Sequence, residues 1–240
     1  MVRNDRRTRL LPKIILGQLG VSLIIACISI SVIFFAEGYR FDLATFKIVK
    51  TGVLYLEFEP HDVTVSWNNT SKGESSSFVE NLTPGFYSVS VAKPDFVTWK
   101  ASLQVTSQSV NDYSRIVLFR SKIATSNLTN TDKIALLTAP TDVLASNAPD
   151  QLLFNDHEIW IGNQLVTRFA NPIQNAVWYP DLYHIVYQQG KAIRVIESNG
   201  QNDTLLATLS NDTPTIFAIG NRGSELYFQD GGGYKVAVIR

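Results

Sequence analysis

The chain has 240 residues, 45% hydrophobic and 18% charged, too apolar for a wholly disordered protein and long enough for more than one domain. Net charge is zero, but Arg3, Arg6, Arg7, Arg9 and Lys13, with the single acid Asp5, precede the first apolar run. The remainder therefore carries 16 basic against 20 acidic side chains, a balance that argues against nucleic-acid binding.

Ile14 to Ala36 is a nearly unbroken apolar run of 23 residues. As a helix it spans about 34 Å, enough for a hydrocarbon core of about 30 Å. Gln18 lies within reach of the headgroups, and Ser22, Ser29 and Ser31 can return their hydroxyls to the helix backbone. The basic cluster before the run predicts a cytoplasmic N-terminus with everything after the helix facing outward. Three alternatives are weaker. A cleaved signal peptide needs a small residue where Phe34 stands. A lipobox reading of Ile24-Ile25-Ala26-Cys27 needs a polar sequence after Cys27, but the run stays apolar to Ala36. A buried core helix fits neither the length nor the charge step. Residues 1–13 are thus expected as a cytoplasmic basic tail, 14–36 as a transmembrane signal-anchor and 37–50 as a juxtamembrane linker. Within that linker Tyr39 and Phe41 suit the membrane interface or packing against the next domain. Cys27 is the only cysteine, so no disulfide or thiolate metal site forms beyond the helix. An export-facing domain without disulfides points toward a bacterial surface protein.

From Thr51 the apolar period changes to two. Leu54, Leu56 and Phe58 form one alternating set, followed by Val63, Val65 and Trp67, then Tyr87, Val89 and Val91. Val97, Trp99, Ala101, Leu103 and Val105 form another, and a last run covers Ile116 to Phe119. Turn chemistry separates them at Pro60-His61-Asp62, Asn68-Asn69, Lys72-Gly73, Pro84-Gly85 and Lys93-Pro94-Asp95. The pattern predicts a small antiparallel sandwich over 51–119. Gly52, the run Phe58-Glu59-Pro60-His61-Asp62-Val63, the turn Pro84-Gly85 and the stretch Lys93-Pro94-Asp95-Phe96 resemble the PEGA domain. The family's Pro-Glu-Gly-Ala turn keeps only its proline, Pro60. The resemblance covers about 60 residues and implies a β module of prokaryotic surface proteins, with no enzymatic activity.

Residues 120–150, rich in Thr, Asn, Ser and Ala, read as a linker with one or two short strands and an apolar patch at Ile134 to Leu137. From 151 to 240 a weak repeat recurs: Leu152 to Ile161, Ile185 to Ile196 and Leu226 to Ile239 each combine two apolar strands with a polar or glycine-rich turn. The spacing of about 33 to 42 residues suits propeller blades. Trp178-Tyr179-Pro180-Asp181 resembles the Trp-x-Pro-Asp turn of TolB-like and WD-repeat propellers. Only two or three blades fit, so an open array is expected, its free edges covered by the sandwich, the 120–150 stretch or a second chain. Open β edges also offer a route to self-association.

No constellation of catalytic, cofactor-binding or metal-ligating residues emerges. His61, His157 and His184 lack metal spacing, no nucleophile elbow or P-loop is present, and Gly231-Gly232-Gly233 reads as a hairpin tip. Sequons begin at Asn68, Asn69, Asn81, Asn127, Asn202 and Asn211, where turn chemistry is favoured over glycosylation. Trp67, Trp99, Trp160 and Trp178 read as core aromatics ahead of sugar-stacking platforms. The expectation is an all-β ectodomain behind one membrane helix. It would act as an extracytoplasmic scaffold holding protein partners or envelope polysaccharide, with no cofactor. An envelope hydrolase is the alternative, and it would gather Asp156, Glu158, Asp181 and Glu197 around one pocket. A sensor is a third possibility, its short tail signalling through a further partner.

Overall fold

The computed structural model describes residues 5–42, 46–138 and 150–240, with side chains from Gly17 onward. Residues 1–4 of the expected tail and residues 139–149 of the expected linker lie outside these limits, whereas residues 5–13 of the tail are helical. The chain is mostly β, with several antiparallel sheets and one N-terminal apolar helix. It divides into two compact units: Met1–Tyr55 with Val79–Phe86 and Gln104–Asp112, and Leu56–Phe78 with Tyr87–Leu103 and Tyr113–Arg240.

In the first unit, α1 (Asp5–Ala36) runs continuously through the basic segment into the apolar one. Its Gly17–Ala36 portion has mean hydropathy 2.6 and is unburied, long and apolar enough to cross a membrane. Ser31 returns its hydroxyl to the Cys27 carbonyl at 2.8 Å, as its place in an apolar helix requires. The helix ends where Gly38 adopts φ +83°, a left-handed turn that suits glycine. Both the amide and the hydroxyl of Thr51 donate to the Gly38 carbonyl, at 2.9 and 3.0 Å. Between these residues β1 (Tyr39–Asp42) and β2 (Lys47–Lys50) pair antiparallel, so the segment expected as a linker is a hairpin.

The strands of the expected sandwich are β3 (Gly52–Glu59), β4 (Val63–Trp67), β5 (Thr70–Ser75), β6 (Ser77–Leu82), β7 (Gly85–Ala92), β8 (Trp99–Val105) and β9 (Val110–Val117). They form sheets in the orders β6-β3-β9 and β5-β4-β7-β8. Leu54, Leu56 and Phe58 of β3 are buried and their intervening neighbours are not, the pattern of a strand with one face on a core. Trp67 of one sheet meets Phe78 of the other edge-on at 5.8 Å.

The second unit continues with β10 (Thr125–Asn127), α2 (Thr131–Thr138) and three successive meanders. The first is β11 (Leu152–Phe154), β12 (Glu158–Ile161) and β13 (Gln164–Arg168). The second is β14 (Ile173–Trp178), β15 (His184–Gln189), β16 (Ala192–Glu197) and β17 (Thr204–Thr208). The third is β18 (Phe217–Gly220), β19 (Glu225–Asp230) and β20 (Gly233–Val238), with β10 added beside β20. The repeat read from the sequence therefore falls on three hairpins.

Two apolar layers hold these sheets together. Ile185 and Tyr187 point into one with Ile159, Ile173 and Trp178, while Val186 and Val195 enter the other with Leu226, Phe228 and Ile239. Alternate residues of β15 thus enter opposite cores, which is why Ile185-Val186-Tyr187 is an apolar run without polar alternation. Tyr227 faces a third layer, closed by Leu128 and by Leu137 of α2. The patch Ile134 to Leu137 is therefore helical. Asn130 accepts hydrogen bonds from the amides of Asp132 and Lys133 at 2.9 and 3.1 Å and starts that helix. No closed propeller is formed among the described residues. The edge of β20 is covered by β10, which belongs to the 120–150 stretch.

Candidate functional site

A buried polar cluster in the second unit lies where β8 and the end of β9 meet the middle meander. Glu197, at the end of β16, is 2% exposed. Its Oε1 accepts from the Trp99 indole at 2.5 Å and from Asn202 Nδ2 at 2.9 Å. Its Oε2 accepts from Asn199 Nδ2 at 3.0 Å and, more weakly, from the Tyr183 hydroxyl at 3.5 Å. A carboxylate buried in this way is tolerated because donors replace the water it has lost. The next turn adds a backbone contact, with the Lys100 amide donating to Asn202 Oδ1 at 3.3 Å.

His184 stands opposite Glu197 in the β15–β16 register and is equally buried. Its Nδ1 lies 2.6 Å from Asp181 Oδ2, while Asp181 Oδ1 accepts the amides of Tyr183 and His184. Phe119, Tyr179 and Tyr183 surround the imidazole edge-on. Burial pushes the Asp181 carboxyl upward, but the His184 ring and these amides outweigh it and hold the group below the usual carboxylate range. Burial, reinforced by Glu197, pushes the Tyr183 phenol up to about 12. A cleft of about 160 Å³ opens beside this cluster, bounded by Val97, Trp99, Phe119, His184, Asp203 and Thr204.

Further contacts tie the end of β3 to the meanders. The Arg240 guanidinium bridges Glu59 at 2.8 Å and donates to the Tyr179 hydroxyl at 3.1 Å and to the Arg222 carbonyl at 2.8 Å. The Tyr179 hydroxyl donates in turn to the Gly223 carbonyl at 2.8 Å. Val117 and Phe119 belong to the same core as Tyr179 and Val186. The end of the sandwich and the meanders therefore share one apolar core and one hydrogen-bond network.

Of the four carboxylates an envelope hydrolase would gather, the structure brings Asp181 and Glu197 to this cluster. Asp156 is exposed in the β11–β12 turn, and Glu158 is bound by Arg168 and Trp160. His61 and His157 are exposed and lie elsewhere. Among the tryptophans, Trp67, Trp99 and Trp178 are buried and Trp160 is half-buried. Asn68, Asn69 and Asn202 take left-handed turn conformations, and Asn211 accepts the Thr213 amide across its turn. The Trp99–Glu197 pair had no local signature, because 98 residues separate its members. No protein-family model and no curated protein matches the chain.

Proposed function

We propose that this chain is a membrane-tethered, extracytoplasmic scaffold or binding protein that presents its β modules to protein partners or envelope polysaccharide. The observation that carries this reading is an unburied apolar span, Gly17–Ala36, followed by β modules whose most buried acid, Glu197, is spent on internal donors. A group so saturated stiffens a surface and leaves little capacity for proton transfer. The basic residues before the apolar run favour a cytoplasmic N-terminus. The PEGA-like turns and the three meanders, which resemble an open set of propeller blades, accord with a binding role. The test is twofold. With Cys27 replaced by Ser and Cys placed at exposed position 156, a membrane-impermeant maleimide should label intact cells, and labelling only after lysis would overturn the orientation. The full chain in nanodiscs should then retain a purified envelope polymer or a defined envelope protein; retention of none would overturn the binding role.

One observation favours a second reading, an envelope hydrolase: the Asp181–His184 pair stands beside the 160 Å³ cleft. Turnover of chromogenic esters or glycosides that disappears in His184→Ala would establish it, and absence of turnover would remove it.

A further inference from the structure

The most exposed apolar side chains outside α1 are not scattered. Among the described residues, six large ones are more than half exposed: Phe41, Phe46, Ile48, Val79, Phe86 and Val110. All six belong to the unit that contains the membrane-length helix. A soluble surface tolerates single exposed apolar residues, but a contiguous group of them marks an interaction face, and three of the six are contiguous.

Three of the six sit on the hairpin that follows the helix directly. In its register Phe41 faces Ile48 and Tyr39 faces Lys50, so these residues share one face. Phe46 packs edge-on against Phe41 at 6.2 Å, while Arg40 and Val49 occupy the other face. The hairpin is joined tightly to the helix end. Arg40 donates to the Phe35 carbonyl at 3.0 Å with its guanidinium 3.6 Å from the Phe35 ring centre, and Phe34 meets Tyr39 at 5.0 Å. The β8–β9 turn is held against the same place: Ser107 donates to the Lys50 carbonyl, Gln108 to that of Thr51 and Val53 to that of Ser109. Val110 follows immediately.

We propose that the β1–β2 hairpin, with Val110 beside it, lies in the headgroup layer of the same bilayer that α1 crosses, a second, non-spanning membrane contact. The occupant is lipid for two reasons. Two residues separate the helix from β1, so the hairpin starts at the bilayer boundary. Lys50 shares the face of Tyr39, Phe41 and Ile48, while Arg40 and Lys47 lie on the opposite face with Asp42, so one cation stands on the apolar face itself, the pairing that suits phosphate headgroups over acyl chains. Lys50 also sits over the Tyr39 ring at 4.9 Å, a cation and an aromatic combined at one interfacial position.

The proposal rests on the anchor reading, and one experiment separates them. The full chain is labelled with an environment-sensitive fluorophore in detergent and reconstituted into liposomes containing brominated phosphatidylcholine. Three single-cysteine forms are compared: native Cys27, Cys27→Ser with Ile48→Cys, and Cys27→Ser with Asp156→Cys. Bromolipid should quench the probe at 27 and at 48 but not at 156, and iodide should quench at 48 several-fold less than at 156. Quenching at 27 without quenching at 48 overturns the hairpin proposal alone; no quenching at 27 overturns the anchor and with it this proposal. Shielding at 48 from both lipid and iodide, lost on dilution, assigns the face to a second copy and also overturns it. Phe41→Ser with Phe46→Ser, at exposed positions where folding is spared, should return the probe at 48 to iodide, and unchanged shielding counts against the lipid contact.

Discussion

The indole of Trp99 donates to the carboxylate of Glu197, joining a sandwich strand to the last residue of β16. The contact is the shortest of four that Glu197 accepts. Trp99→Phe keeps most of the buried ring and removes one donor from a buried charge. It should cost about 1–3 kcal/mol. Denaturant unfolding of Trp99→Phe, Glu197→Gln and the double variant checks this. A coupling below about 0.5 kcal/mol would show that the two groups merely adjoin.

Gly223 takes φ +93°, and a Cβ placed there would stand inside the Tyr179 hydroxyl and ring. Gly223→Ala should therefore displace the Tyr179 side chain, strain the backbone and destabilise by about 2–3 kcal/mol. Tyr179→Phe tests the same contact from the other side. It should cost less, about 1 kcal/mol, because the ring remains packed. Thermal unfolding of the two variants ranks them.

Leu137 of α2 is buried against Leu128 and Tyr227. Leu137→Ala should cost about 2–4 kcal/mol, as truncation of a buried leucine does. Leu136, on the same helix and nearly half exposed, is the control and should change stability by under about 1 kcal/mol on substitution by Ala.

Lys235, at 2.6 Å, and Ser210, through its amide and hydroxyl, hold the Asp230 carboxyl down to about 2 from an ordinary value of 3.8. A pKa lowered on folding contributes stability above the unfolded value that is lost as pH falls through the folded one. Asp230 thus helps stability above about pH 4 and ceases to help as pH approaches 2. Asp230→Asn should reduce stability near neutrality and flatten its fall between pH 4 and pH 2, measured as denaturant midpoints across that range.

The sandwich strands were legible wherever one face met the core, as along Leu54, Leu56 and Phe58, because burial imposes a period of two. β5 was not, since Thr70–Ser75 lies exposed at a sheet edge and nothing selects apolar residues there. β15 read as an apolar run without revealing that Val186 and Tyr187 serve different cores. Helix α2 was hidden by the Thr- and Asn-rich composition around it. Its signal was present in Asn130 as a cap, followed by Ile134 and Leu137 three residues apart. The cluster around Glu197 was the least legible part. His184 and Asp181 lie three residues apart, but Trp99 reaches Glu197 only through tertiary packing.

The pairing of β10 with β20 bears on biosynthesis. Thr125 finds Ala237 more than a hundred residues later, so the outer strand leaves the ribosome before any of the three meanders exists. Until the last hairpin emerges, that strand has no sheet to join and Leu128 has no Tyr227 to cover. A chain stopped before Gly233 would carry every earlier meander yet leave its third sheet without β20 and β10 without a neighbour. Completion of the third sheet, and a partner for β10, therefore wait for β20.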